Sequence, residues 1–136
     1  MRILFLDDNQ DRHDVFRRCT IGIKRDFVYN AQDAISRLND ESVHYDVIFL
    51  DHDLNHETED QLNDDEEDGR YVARHLASLD HYKDTTVVIH SLNQAGRQAM
   101  LSILTEAGFS AVIPMPFAWR HVYITEDGSL ELDPNR

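Results

Sequence analysis

Residues 2–8, Arg-Ile-Leu-Phe-Leu-Asp-Asp, decide the fold because an apolar run is followed at once by two acidic residues. A short run of this kind is typical of a strand buried on both faces of a parallel sheet. The pattern returns at residues 45–53, Tyr-Asp-Val-Ile-Phe-Leu-Asp-His-Asp, and at residues 86–91, Thr-Val-Val-Ile-His-Ser. Each predicted strand therefore ends in polar side chains.

Helical periodicity separates these strands along the chain. Apolar spacing predicts four helices, over about residues 11–20, over about 31–38, after Asp68-Gly69, and from Ala95 to Leu104. Residues 27–29 and 111–113 are two further short strands. Alternating strands and helices imply βαβ crossovers, and hence a parallel sheet with helices on both faces. The lack of a glycine-rich first turn favours a flavodoxin-like, doubly wound order over a dinucleotide-binding fold.

The last residues follow a different pattern. Residues 121–125 and 129–133 alternate polar and apolar side chains around Glu126-Asp127-Gly128, which predicts a β-hairpin. We therefore predict one α/β domain over residues 1–136, with a five-stranded sheet, a polar insert at 54–67 and a C-terminal hairpin at 120–134.

The charge of the chain comes from one segment. The 136 residues include 26 Asp and Glu against 13 Lys and Arg, a formal charge of −13, yet no base lies between Arg37 and Arg70. Such acidity disfavours general coating of nucleic acids. No apolar run approaches the roughly 20 residues that span a bilayer, and no signal peptide is recognisable. With Cys19 as the only cysteine, we expect a reduced, cytoplasmic protein without a disulfide or a membrane partner.

Carboxylates and imidazoles collect at the predicted strand ends. Because carboxyl ends of parallel strands share one sheet edge, we expect the following residues to lie together there: Asp7, Asp8, Asp51, His52, Asp53, His90 and Ser91. Like charges this close repel unless a cation neutralises them. The alternative is that these residues only cap the helices that follow. The density of acids favours a divalent metal, with Asp7, Asp8, Asp51 and His90 as candidate ligands.

The ligand types limit the metal. An all-carboxylate site suits Mg²⁺ or Mn²⁺, whereas coordination by His90 would favour Mn²⁺, Fe²⁺, Ni²⁺ or Zn²⁺. His90 is alternatively a general acid or base. By strand alternation, Asp51 and Asp53 share a face and His52 points the other way.

Other residues have weaker signals. Arg12 is a candidate for binding an anionic substrate group, and Trp119 is a candidate either for stacking on a base or for the core. His56 and His121 lie nearer the site, with a minor chance of a role. We expect four other histidines, His13, His44, His75 and His81, to be surface or packing residues away from the strand ends.

Residues 1–117 resemble the receiver domain of response regulators, of the CheY-like type. Asp7-Asp8 resembles its acidic metal-binding pair, Asp51 its phospho-accepting aspartate, and Ser91 the Ser or Thr after strand four. Receivers carry a Lys before the Pro that ends strand five, where this chain has Met115-Pro116. The departure disfavours an ordinary phosphorelay, because phosphorylation of Asp51 is expected to be slow or absent without the lysine.

The motifs Leu50-Asp51-His52-Asp53-Leu54, His90-Ser91 and Pro116-Phe117-Ala118-Trp119 are similar to a divergent branch, the cyclic-phosphate processing receiver domains. That resemblance implies action on the cyclic phosphate of a nucleotide or RNA end. One hypothesis is a metal-dependent phosphohydrolase or phosphodiesterase, with Asp51, His90, His52 and Asp53 as catalytic residues and Ser91 and Arg12 binding phosphoryl oxygens. The alternative is a non-catalytic module that binds a small phosphorylated ligand or a protein partner through the same edge.

Overall fold

Five strands pair in parallel in the computed structural model, which describes residues 1–54, 68–116, 122–126 and 130–132. The strands are β1 (Arg2–Leu6), β2 (Lys24–Val28), β3 (Val47–Leu50), β4 (Thr86–Ile89) and β5 (Ala111–Pro114). Their order across the sheet is β2-β1-β3-β4-β5, which confirms the predicted flavodoxin-like order. The reversal between β1 and β3 places the ends of these two strands side by side at the carboxyl edge.

Four helices connect the strands that the structure describes. They are α1 (Gln10–Cys19), α2 (Ala31–Leu38), α3 (Gly69–Ala77) and α4 (Gln94–Glu106). Each begins at a polar cap whose side-chain oxygen accepts a hydrogen bond from a backbone N–H of the first turn; the caps are Asn9, Asn30, Asp68 and Asn93. These caps fix the helix N-termini at the same edge as the strand ends.

Two apolar clusters lie on opposite faces of the sheet. In β1, Leu4 and Leu6 pack on the face covered by α2, α3 and α4, whereas Ile3 and Phe5 pack on the other. All four side chains are fully buried. This alternation within continuous apolar strands is what burial of a parallel sheet on both faces requires.

A hairpin contributes to the second face. Its strands are β6 (Val122–Ile124) and β7 (Leu130–Leu132), paired antiparallel, as the sequence predicted. Val122 packs in the cluster that holds Phe5 of β1 and Phe16 of α1. The hairpin thus covers part of the face opposite α2, α3 and α4.

Two boundaries differ from the sequence prediction. β2 begins at Lys24 and not at residue 27, because Lys24, Arg25 and Asp26 pair with β1 as part of a partly exposed edge strand. Leu54, which we expected in the polar insert, is buried in the core. The remainder of the insert lies outside the described residues. None of the helices within the described ranges has the length and apolarity needed to cross a bilayer.

Candidate metal centre at the carboxyl edge of the sheet

Three carboxylates meet where β1 and β3 end. Asp7 and Asp8 follow β1, Asp51 follows β3, and one carboxylate oxygen from each lies within 4.8 Å of the others. Asp7 is fully buried, Asp51 is 4% exposed, and Asp8 is partly exposed. We call Asp7, Asp8 and Asp51 the carboxylate trio. Their proximity, predicted from the strand ends, is confirmed.

Arg12 supplies a cation to the trio. Its Nε lies 2.7 Å from Asp7 Oδ2 and its Nη2 lies 2.8 Å from Asp7 Oδ1, which makes a two-pronged ion pair. The same Nη2 lies 3.5 Å from Asp8 Oδ1 and 3.6 Å from Asp51 Oδ2. Burial opposes the charge of Arg12, but the hydrogen bonds to Asp7 and the nearby carboxylates raise its pKa above the ordinary value.

Asp51 is the least satisfied member of the trio. Its Oδ1 accepts a hydrogen bond of 2.9 Å from the backbone N–H of His52, whereas its buried Oδ2 accepts none from the described residues. Burial, followed by the charge of Asp7, raises the pKa of the Asp51 carboxyl well above its usual range. A buried carboxylate oxygen without a donor is unfavourable, and it marks a position where a cation would stabilise the group.

His90 lies beside the trio and approaches the carboxylate of Asp7. Its Nε2 donates to the carbonyl of Leu6 at 3.1 Å, and its Nδ1, which has no hydrogen-bond partner among the described residues, lies 3.7 Å from Asp7 Oδ2. The ring is buried against Phe5 and Phe49. Burial lowers the pKa of His90 to about 4, so the imidazole is neutral at physiological pH. Its predicted role as a metal ligand or acid stays a prediction.

A second group forms on the other side of the β3 end. The Nδ1 of His52 lies 2.7 Å from Asp53 Oδ1, and its Nε2 lies 3.4 Å from Asp68 Oδ2. Asn93 donates to Asp53 Oδ1 at 3.1 Å. We call His52, Asp53, Asp68 and Asn93 the His52 cluster. His52 therefore points away from the trio, as strand alternation predicted, but Asp53 joins His52 and not Asp51, because β3 ends at Leu50 and the alternation stops there.

Two glycines allow the helices to approach this end of β3. A Cβ on Gly96 of α4 would lie 2.4 Å from Cγ of His52, so only glycine leaves room for the ring. A Cβ on Gly69 of α3 would lie 2.2 Å from the backbone oxygen of Asp51. The Gly69 N–H also donates to the His52 carbonyl at 2.8 Å. Close backbone contact thus holds residues 51 and 52 in place.

Ser91 and the β5 end complete the edge. The Ser91 hydroxyl oxygen, which is buried, accepts from the backbone N–H of Asn93 at 3.1 Å, so it helps to start α4. Met115, at the position of the receiver lysine, packs against the second apolar cluster. A substrate contact of Ser91 stays a prediction. Trp119, His56 and His121 lie outside the described residues.

His13 is a packing residue, as one of the two expectations for it stated, but its expected position away from the strand ends is wrong. His13 is fully buried, and its Nε2 donates to the backbone carbonyl of Asp7 at 2.7 Å, at the strand end itself. The signal was present, because His13 precedes the core residue Phe16 by three positions and lies on the same face of α1. Asp68 and Asn93 were also missed as members of a side-chain group.

The sheet order, together with acids after β1 and β3, defines a receiver-like domain. The family model described as the cyclic-phosphate processing receiver domain matches residues 2–106, so the chain belongs to that family. No curated protein matches the chain.

Solved receiver structures share the fold. The Mn²⁺-bound form of response regulator Rcp1 is 18% identical, over 82% of this chain and 78% of that one, with a TM-score of 0.59. A CheY-like receiver domain from Methanospirillum hungatei is 15% identical over 88% and 84%, with a TM-score of 0.60. TrrA from Thermotoga maritima, in complex with Mg²⁺-BeF, is 19% identical over 85% and 87%, with a TM-score of 0.56.

Proposed function

We propose that this domain is a divalent-metal-dependent phosphoric ester hydrolase that opens the cyclic phosphate of a nucleotide or RNA end. The observation that supports it most is the carboxylate trio, in which three acids share one guanidinium among the described residues. The description of the family indicates the cyclic phosphate as the substrate class. In the reaction, water adds to phosphorus, one ring P–O bond breaks, and a phosphomonoester and a hydroxyl form.

The trio fits a hard divalent cation. Asp7, Asp8 and Asp51 offer oxygen ligands only, and the buried Oδ2 of Asp51 accepts no hydrogen bond from the described residues. Mg²⁺ and Mn²⁺ prefer such ligands, and two solved relatives are described with Mn²⁺ and with Mg²⁺-BeF. A bound ion of this kind polarises a phosphoryl oxygen and lowers the pKa of a coordinated water. Fe²⁺, Ni²⁺ or Zn²⁺ would require His90 as a further ligand.

The remaining residues have separate roles in this proposal. Arg12 binds a phosphoryl oxygen through Nη2, while its pairing with Asp7 fixes the direction of the guanidinium. Asp53, whose side chain is 38% exposed and whose carboxylate His52 holds, is the base in this proposal. Because it lies across the β3 end from the trio, it receives the proton of the attacking water through solvent. Ser91 is assigned to a phosphoryl oxygen, and Trp119, which lies outside the described residues, stays a sequence-based candidate for stacking on the base. His90 acts as a positioning residue through Leu6 and Asp7.

Two observations favour the non-catalytic alternative. Met115 stands where receivers have their lysine, and Arg12 already pairs with the trio. A domain of this kind could bind a small phosphorylated ligand, or a protein partner, without turnover. The experiment must therefore separate metal binding from hydrolysis.

The test compares Asp51→Asn with Asp46→Asn. Asp46 comes directly before β3, whereas Asp51 comes directly after it. The Asp46 carboxylate accepts a hydrogen bond from the backbone N–H of Arg2, so this residue is a matched acid outside the site. With Mn²⁺ or Mg²⁺, we expect the wild type and Asp46→Asn to hydrolyse a 2′,3′- or 3′,5′-cyclic nucleotide. We expect Asp51→Asn to lose at least a hundredfold in rate and to bind Mn²⁺ more weakly in a calorimetric titration.

Two results would overturn the proposal. Metal binding by the wild type without turnover of any of these substrates would establish the binding module. Stable labelling of Asp51 by acetyl phosphate would instead establish a phosphoreceiver.

A further inference from the structure

Tyr29 lies at the carboxyl edge of the sheet, one strand away from Asp7 of the carboxylate trio. It follows β2, whose last residue, Val28, pairs with Leu6 of β1, so Tyr29 is level with Asp7 on the neighbouring strand. The Asp7 N–H donates to the Val28 carbonyl at 3.2 Å, which fixes this register up to the site. The position of Tyr29 relative to Asp7 is therefore set by backbone pairing.

The ring of Tyr29 is held in one orientation. It stacks on the imidazole of His13, with 3.9 Å between ring centroids and 18° between planes. Its hydroxyl donates to Gln10 Oε1 at 2.8 Å, and Gln10 in turn donates to Asp14. His13 is itself fixed by its hydrogen bond to the Asp7 carbonyl. A ring held at both its face and its tip loses little further freedom when a ligand binds it.

Tyr29 is nevertheless accessible. Its exposed fraction is 37%, and it is the only aromatic residue among the exposed large apolar side chains of the described structure. Among the described residues, no ring or cation other than His13 lies against it. One face of the ring is thus used by His13, and 37% of the surface of Tyr29 is open to a ligand.

We propose that Tyr29, backed by His13, is the stacking surface for the nucleobase of the substrate. This inference rests on the proposed function and deepens it, because it selects nucleoside cyclic phosphates over small cyclic phosphates that lack a base. Arg12 and the trio hold the phosphoryl end, and the aromatic pair holds the base one strand away. Base–aromatic stacking tolerates any base, so the subsite selects for a base and not for its identity.

The test compares two probes that differ only in the base. Adenosine 2′,3′-cyclic monophosphate and base-free ribose 2′,3′-cyclic phosphate, with adenosine as a third probe that lacks the phosphate, are titrated calorimetrically. The protein used is metal-loaded Asp53→Asn, which lacks the proposed base and so leaves the cyclic phosphates intact, together with three Tyr29 variants of it. We expect Asp53→Asn with Tyr29 intact to bind the adenosine cyclic phosphate about tenfold or more tightly than the base-free compound, within the range that one stacked base contributes. Tyr29→Leu, which keeps apolar volume over His13, is expected to remove this preference, and Tyr29→Ala is expected to do the same.

Tyr29→Phe is the conservative variant. It loses the bond to Gln10 but keeps the ring, and we expect it to retain most of the preference for the adenosine compound. Thermal unfolding of each variant confirms that it is folded.

The outcomes separate this inference from the proposed function. Equal affinity for the two compounds, or a preference that survives in Tyr29→Leu, would overturn the stacking subsite and leave the hydrolase proposal intact. Tyr29-dependent binding of adenosine, without binding of the base-free cyclic phosphate, would support the subsite and contradict the hydrolase. Absence of binding by all three probes would overturn both.

Discussion

Asp51 and His52 are adjacent in sequence but belong to two different chemical environments. Asp51 faces the carboxylate trio, where three acids share Arg12 and one buried oxygen accepts no hydrogen bond from the described residues. His52 faces the other way, into a cluster where Asp53 and Asp68 flank its ring and Gly96 closes over it. One side is dominated by unbalanced charge, and the other by close packing.

The comparison shows that the end of one strand can hold a group of repelling charges on one side and a closely packed cluster on the other. A group with excess negative charge is held together poorly by its own contacts, because like charges repel. The backbone of residues 51 and 52 is fixed instead from the packed side, by Gly69 and by the hydrogen bond of its N–H to the His52 carbonyl. The His52 cluster therefore supports the trio without contributing to its charge.

The largest effects are expected on the packed side. Gly96→Ala places a methyl group 2.4 Å from the His52 ring, and we expect it to lower the free energy of unfolding by about 2 kcal/mol in urea denaturation. In a His52→Ala background, Gly96→Ala should leave the free energy of unfolding unchanged or raise it by up to about 1 kcal/mol, since alanine is the better helix former.

Gly69→Ala is the matched control for this rescue. Its Cβ meets the backbone oxygen of Asp51, which removal of the His52 ring cannot move. Its cost, about 2 to 3 kcal/mol, should therefore persist in both backgrounds. If Gly96→Ala were equally costly without the His52 ring, packing against that ring would not be the reason for the glycine.

The next effect tests the charged side. Arg12 occupies the space between the same carboxylates that would bind a metal, so its charge competes with a divalent cation. We expect Arg12→Gln to bind Mn²⁺ on the order of tenfold more tightly, measured by calorimetric titration, and to unfold more easily without metal.

Arg70→Gln is the control for the charge change. Its guanidinium lies 3.2 Å from Asp68 in the His52 cluster, and its removal should leave the Mn²⁺ affinity unchanged. Weaker Mn²⁺ binding by Arg12→Gln would show instead that Arg12 holds Asp7 in place and does not compete with the metal.

The smallest effect sets the pH range in which the two sides can be compared. Tyr45 lies two residues before β3, at the opposite end of that strand from the trio and the His52 cluster. Its hydroxyl donates a hydrogen bond to Asp26 at 2.6 Å. Burial, with this hydrogen bond, raises the pKa of Tyr45, so the folded state keeps a proton that the unfolded state releases near pH 10. The contribution of Tyr45 to the free energy of unfolding should thus be constant below the ordinary tyrosine pKa and fall as pH rises above it.

Urea denaturation between pH 8 and 10.5 measures this decline, which we expect to stay below about 1 kcal/mol. The decline should be shallower in Tyr45→Phe. A decline of equal steepness in that variant would assign it to another group, of which Tyr82, whose pKa burial also raises, is the first candidate.

The strand ends explain how much the sequence could predict. Apolar runs that stop at Asp7 and Asp51 indicate both the sheet and the shared position of these acids, because strand order follows from the alternation with helices. Arg12 was recognised as a cation near the site, but as a substrate ligand. Its pairing with the trio depends on the direction in which α1 leaves β1, which no local pattern gives.

The His52 cluster could not be predicted for a different reason. Asp68 and Asn93 read as ordinary helix caps, and both do cap helices. Their second contacts, to His52 and Asp53, arise only when α3 and α4 pack at the β3 end, and that approach depends on Gly69 and Gly96. Single glycines near helix starts carry too little information to reveal such an approach.

The anchoring of the chain on both sides of the acidic segment has a consequence for engineering. Leu54 is buried in the core before residues 55–67, and Gly69, just after them, bonds back to His52. The chain therefore leaves the sheet and returns to it at nearly the same point. A flexible segment inserted at this junction would cost only roughly 0.6 kcal/mol for each doubling of its length, so the junction is suited to deletion, exchange or insertion of whole segments. Residues 55–67, the most acidic part of the sequence, could be replaced as a cassette while the sheet is kept.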